Sequence, residues 1–309
     1  MNCAVMTIKH QLNACQHKWF YRVLPYIKIT DMKKIAAVLD GLRFSDSTLE
    51  YTLWVARHSS SHIVGVFADD FLYNSFSAYR LITAGATQHQ IDELSEQDEI
   101  LRNVSVEKFR NACKDAHVEY SVHRDRDIAI QEVRHESIFA DLLVIDAKET
   151  FQHRQQELPT RFVRELLAEV QCPVLLAPEE FHEIERVILL YDGEPSSVHA
   201  IKMFSYLMPW LNTAPIELIS VNHPEEGLKL DDGKLMREFM KRHFPSVQYH
   251  ILNGHEYNRI PKVMEQQKPG TLVVLGAYSR GAISRWFRES LADTLMSAVK
   301  LPLFIAHHR

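Results

Sequence analysis

An apolar run ending in Asp-Gly occurs twice in this sequence, Ile35 to Leu39 before Asp40-Gly41 and Val187 to Tyr191 before Asp192-Gly193. Self-similarity at this scale outranks every other signal, because it fixes how many folding units the chain contains. The two stretches continue alike. Ser45-Asp46-Ser47 and Pro195-Ser196-Ser197 follow as helix-starting residues, and the Ser and Asp among them are natural N-caps. The ends match as well: Ala140 to Ala147 corresponds to Gly270 to Ala277, and Cys172 to Pro178 corresponds to Leu301 to His307. Three matched apolar runs in the same order read as a duplication. The 309 residues have room for two domains of about 150, each able to bury its own core.

Between these anchors, short and nearly continuous apolar runs alternate with helix-period segments. In the second half the pattern predicts strands near 186–191, 216–221, 247–252, 271–275 and 302–306, with helices near 196–209, 231–243, 256–267 and 288–299. Strands of that kind, separated by amphipathic helices, imply a parallel sheet covered on both faces and joined by right-handed crossovers. The first half predicts strands near 34–39, 62–67, 118–122, 141–145 and 173–177. Its longer connection between strands two and three should hold one long, charged, solvent-facing helix within 88–117. The expected fold is α/β: two tandem doubly wound five-stranded parallel-sheet domains, at 33–178 and 185–309. Residues 1–31 lack an apolar core segment and a small-residue cleavage site. They read as a weakly ordered extension upstream of a start at Met32, with a functional arm as the alternative.

Composition excludes several function classes. The net charge is −5 and Lys and Arg are scattered, so nothing marks a nucleic-acid surface. No stretch approaches the roughly 20 apolar residues that cross a bilayer. Cys3, Cys15, Cys113 and Cys172 form no CxxC pair, which argues against zinc and disulfides and for a reducing, cytoplasmic setting. Cys172 reads as a small core residue. The 17 histidines include no HExxH, and neither a GxSxG elbow nor a GxxxxGK[ST] loop is present. No catalytic constellation and no metal site is expected.

A repeated domain that opens on a strand ending in Asp-Gly and closes with an apolar-Gly-Ala-Tyr strand end, a helix and an x-Pro-hydrophobic strand resembles the universal stress protein family. The tandem arrangement looks like its double-domain Bacteroidetes-type members. The resemblance implies a stress-associated regulatory or interaction protein, with an ATP-binding switch or weak ATPase as the alternative. It also implies that the last strands, 174–177 and 303–306, pair the two halves as an internal pseudo-dimer; a homodimer and an unknown protein partner remain open. By the family's pattern, ATP would be held in the second domain at Tyr191, Asp192, Val221, Leu275, Gly276, Tyr278, Ser279, Ser290 and Leu291. Glycines there let backbone N–H groups approach phosphate, and the helix N-terminus that follows adds its dipole. The sequence departs from the pattern where Ser279 and Glu289 stand in place of glycine. Arg280, Arg285 and Arg288 offset part of that charge. The first domain departs further: from Asp146 through Pro178 it has no glycine, so it is expected to supply structure and to bind no phosphate. Asp40 and Asp192 have a plainer reading too, as caps of the helices that follow.

Overall fold

The computed structural model describes residues 32–68, 74–125, 128–152, 154–222, 232–253, 256–276 and 291–307. In the first half these form β1 (Lys34–Leu39), α1 (Asp46–Ser59), β2 (His62–Ala68), α2 (Ala78–Thr83), α3 (Gln88–Asp115), β3 (Tyr120–Asp125), α4 (Ala129–Ile138), β4 (Leu142–Asp146), α5 (Arg161–Glu169) and β5 (Val174–Ala177). The second half holds β6 (Arg186–Tyr191), α6 (Pro195–Leu207), β7 (Ile216–Asn222), α7 (Gly233–His243), β8 (Gln248–Asn253), α8 (Glu256–Met264), β9 (Thr271–Gly276), α9 (Leu291–Ala298) and β10 (Leu303–Ala306). Residues 1–31 lie outside the described residues; the first described residue, Met32, is buried and accepts a hydrogen bond at its carbonyl from Ser61 Oγ at 3.0 Å.

The two five-stranded sheets are one sheet of ten strands, ordered β3-β2-β1-β4-β5-β10-β9-β6-β7-β8. Within each half every pairing is parallel. The seam is antiparallel: Leu303 faces Leu176, Phe304 faces Leu175 and Ile305 faces Val174. The last strand of each repeat would otherwise be an open edge, and each covers the other. Pleating sends alternate residues to opposite faces. Ile35, Ala37 and Leu39 enter one apolar layer, Ala36 and Val38 the other, and both layers run through both halves.

The linker is clamped onto α1. Tyr51 Oη donates to His182 O at 3.2 Å, Trp54 Nε1 to Glu183 Oε1 at 3.4 Å, and the Tyr51 and Phe181 rings meet edge to face at 4.7 Å.

Two expectations need correction. Helix α3 is long and charged, but it does not simply face solvent: Arg102, Val106, Phe109 and Cys113 are buried, and Phe109 packs against Phe67 and Tyr120. The sequence reading gave weight to its charges, whereas Phe109 is admitted by a distant residue. A Cβ on Gly65 of β2 would lie 2.7 Å from the Phe109 ring, so glycine makes the pocket that receives it. The other correction concerns caps. Ser45 does cap α1, its Oγ accepting from Thr48 N at 3.3 Å. Helix α6 instead begins with Pro195 in its first turn behind Glu194, which makes no side-chain cap bond. Neither Asp40 nor Asp192 caps a helix. Each closes a turn immediately after its strand, Asp40 Oδ1 accepting from Leu42 N at 2.7 Å and Asp192 Oδ1 from Glu194 N at 2.9 Å.

Candidate functional site

In a parallel sheet, ligands gather where neighbouring strands connect in opposite directions. The strand order places those points at the carboxyl ends of β1 and β4 in the first half, and of β6 and β9 in the second.

The first of these holds a cavity of about 270 Å³ lined by Asp40, Arg43, Asp146, Glu149, Gln155 and Gln156, among others. Asp40 is fully buried and Glu149 nearly so. Arg43 ties the site together: its Nε lies 3.3 Å from Asp40 Oδ2, and its Nη2 is 2.7 Å from Thr150 Oγ1 and 4.0 Å from Glu149 Oε1. Glu149 Oε1 accepts from the backbone N–H groups of Thr150 at 2.8 Å and Phe151 at 2.9 Å. Those amides are the donors that an anion in this loop would use, and the chain's own carboxyl group holds them. Burial first, and the Asp40 carboxylate next, push the Glu149 carboxyl up to about 8, against the opposing hydrogen bonds and Arg43. The loop makes its left-handed turn without glycine. Phe151 takes φ of 46°, held there by burial and by its ring at 4.8 Å from Phe162, while Thr160 Oγ1 donates to Glu149 O at 2.5 Å.

In the second half the structure brings together five of the nine residues expected at a nucleotide. Tyr191 and Val221 lie at neighbouring strand ends, with Asp192 just beyond β6, and Leu275 and Gly276 close β9 beside them. The side chains of Tyr191 and Leu275 are buried in the core layers, as is Leu291 at the start of α9, so what these three offer a ligand is backbone. Asp192 is raised above the usual carboxylate range, chiefly by burial, with the Ser197 and Glu194 hydrogen bonds opposing. Gly276 has a packing reason of its own, since a Cβ there would lie 2.4 Å from the Ser196 carbonyl carbon in the first turn of α6. Tyr278, Ser279 and Ser290, together with Arg280, Arg285, Arg288 and Glu289, lie outside the described residues.

Sequence reasoning missed Arg43, Glu149 and the two glutamines as one cluster. The loop after Asp146 was visible as glycine-free, but nothing local to it says that Glu149 turns inward onto its own amides. Cys172 is a buried core residue as read, its thiol pushed up to about 12 by burial first. Among the described residues no group of three or more His, Cys, Asp or Glu is placed to hold a metal, and no helix is long and apolar enough to cross a membrane.

No family model matches the sequence, and no curated protein matches it either. Solved structures do. A universal stress protein from Archaeoglobus fulgidus superposes with a TM-score of 0.61 at 14% identity, covering 89% of this chain and 96% of that one. A functionally unknown protein from Pseudomonas aeruginosa gives 0.53 at 12% identity, covering 89% and 92%. These relatives come from an archaeon and a pseudomonad, and neither bears on the Bacteroidetes-type expectation. At such identities the likeness is one of fold, and it spans both halves: this chain has the architecture of a tandem universal stress protein.

Proposed function

We propose that this chain is a stress-response regulatory protein of the universal stress protein kind, working in the cytoplasm through a protein partner and carrying no catalytic site. Its two halves divide the labour. The first is structural, and the second is the only one left with a loop for a nucleotide. The observation that carries this reading is Glu149, whose carboxyl occupies the loop N–H groups of Thr150 and Phe151 and so takes from a phosphate the two backbone donors it would use there. In the second half Gly276 and Asp192 keep the strand-end pattern, and ATP is the ligand assigned to it, as a weakly held switch. Ser279 and Glu289 are what weaken it. Two unit charges about 5 Å apart at an effective dielectric of about 20 repel by roughly 3 kcal/mol.

The test is a calorimetric titration with ATP and magnesium, after assay of nucleotide co-purifying from a bacterial host. The parent chain should bind weakly, and Ser279→Gly combined with Glu289→Gly should tighten binding roughly tenfold to a hundredfold. The parent binding at micromolar concentration, unchanged or weakened by the two substitutions, would show that the loop uses Gly281 in another register. No binding by either protein removes ATP from the proposal.

A further inference from the structure

The two halves are not equivalent at their second crossover. Where the second half has α7, of 11 residues, the first has α2 and the 28-residue α3. The outer face of α3 is unusual for an exposed helix. Ile100 (56% exposed), Leu101 (48%) and Val104 (58%) form an apolar stripe at its midpoint. Charge is segregated on either side. From Gln88 to Glu99 the helix carries five carboxylates and no Lys or Arg, whereas Lys108, Arg110 and Lys114 belong to its second half, among Glu107 and Asp115. Asp92, Glu93 and Glu96 are exposed. On the basic side, Lys108 is shared with Asp46 at 2.6 Å and Arg110 with Glu107 at 2.6 Å, all partly open to solvent.

We infer that α3 is the docking surface for a second copy of this chain, two α3 helices packing antiparallel about a two-fold axis level with position 102. A helix with an apolar centre, one acidic arm and one mixed, more basic arm is self-complementary only in that orientation. Ile100 then meets Val104 of the partner subunit, Leu101 meets the partner's Leu101, and Glu96 lies beside Lys108 of the partner subunit. A parallel pairing would set the acidic arms against each other. Among the described residues only the first half has this helix, so each chain offers one such face. An isologous contact of that kind closes at the dimer and does not propagate. The internal β5–β10 seam leaves the face untouched. At ~1.5 Å per residue α3 is ~42 Å long, so the contact sits at the small end of specific interfaces and the dimer is weak and reversible.

Sedimentation of the full chain over a range of concentrations tests this. A monomer–dimer equilibrium is expected, weakened by added salt and at least tenfold by Leu101→Asp, which is exposed enough to leave the helix content of the monomer unchanged. Orientation is read by oxidative cross-linking with Cys3 and Cys15 replaced by serine. Leu101→Cys should form a covalent dimer. Glu96→Cys should not, because the antiparallel arrangement separates the two copies by ~18 Å along the helices. The proposal is overturned by a chain that stays monomeric at several hundred micromolar, by a dimer indifferent to Leu101→Asp, or by efficient Glu96→Cys cross-linking. Association emerging only after removal of residues 1–31 assigns the face to that segment and overturns it too.

Discussion

Glu149 makes the first half sensitive to pH, and the sign follows from its surroundings. With the loop after β4 docked, burial and Asp40 raise the carboxyl from 4.5 to about 8; released into water it returns toward 4.5. The raised value belongs to the docked state, so docking is strongest below about 4.5 and weakens as pH rises toward about 8, by tenfold per pH unit for the single proton involved. Above that the dependence flattens. Hydrogen-exchange protection of the Thr150 and Phe151 amides, corrected for intrinsic exchange, should show that slope between pH 5.5 and 7.5 on the order of one decade per unit. Glu149→Gln should abolish the slope while keeping the loop closed, because a neutral amide oxygen still accepts both N–H bonds. A slope surviving in that variant would place the titrating group elsewhere. Glu136 works in the opposite sense. Burial raises its carboxyl, but hydrogen bonds and charge from His123 and Lys34 together outweigh burial and hold it below the usual range, so its contribution is lost as pH falls.

Among the elements, α3 depends on a residue outside itself. Its large buried anchor, Phe109, sits over Gly65, and a methyl group at that position would press on a ring already packed against Phe67 and Tyr120. Aromatic rings in such a setting have no low-cost rotamer to retreat into. Gly65→Ala should therefore destabilise the protein by roughly 1–3 kcal/mol, read from the midpoint of chemical denaturation. An unchanged midpoint would show that α3 slides outward to make room. The same geometry explains why the helix read as solvent-facing: most of its residues do face water, and the few that do not are spaced for a groove on β2 that no local pattern announces.

At the scale of the molecule, the antiparallel β5–β10 seam decides whether the halves are separable. It pairs two strands that are buried on both faces. Residues 185–309 expressed alone would expose β10 as an apolar edge, and such edges recruit other chains. That fragment should dimerise or aggregate in light scattering at concentrations where the intact protein does neither beyond its α3 equilibrium. A well-behaved monomer would mean the seam contributes little. The free ends of the ten-stranded sheet are built differently. Edge strand β3 carries His123 and Arg124, and β8 carries Gln248 and His250, polar residues that discourage further pairing.

Repetition and the strand and helix periods were legible in the sequence, because each is carried by apolar residues at local spacing, whereas the pairing of the last strands was expected from the family resemblance. Strand boundaries came within three residues because of that same local spacing. Three features were decided only by the tertiary structure. Arg43 reaches Thr150 across 107 residues of chain, so the cluster that fills the first half's crevice exists only once β1 and β4 are neighbours. Phe151 adopts a backbone conformation that its own side chain disfavours, because the ring's burial against Phe162 outweighs the local strain. Glu149 is a charged residue by sequence and a buried, proton-retaining one by position. Local spacing encodes which surface an element must bury, but the electrostatic character of a carboxyl group is set by how much water and which neighbours the finished fold leaves around it.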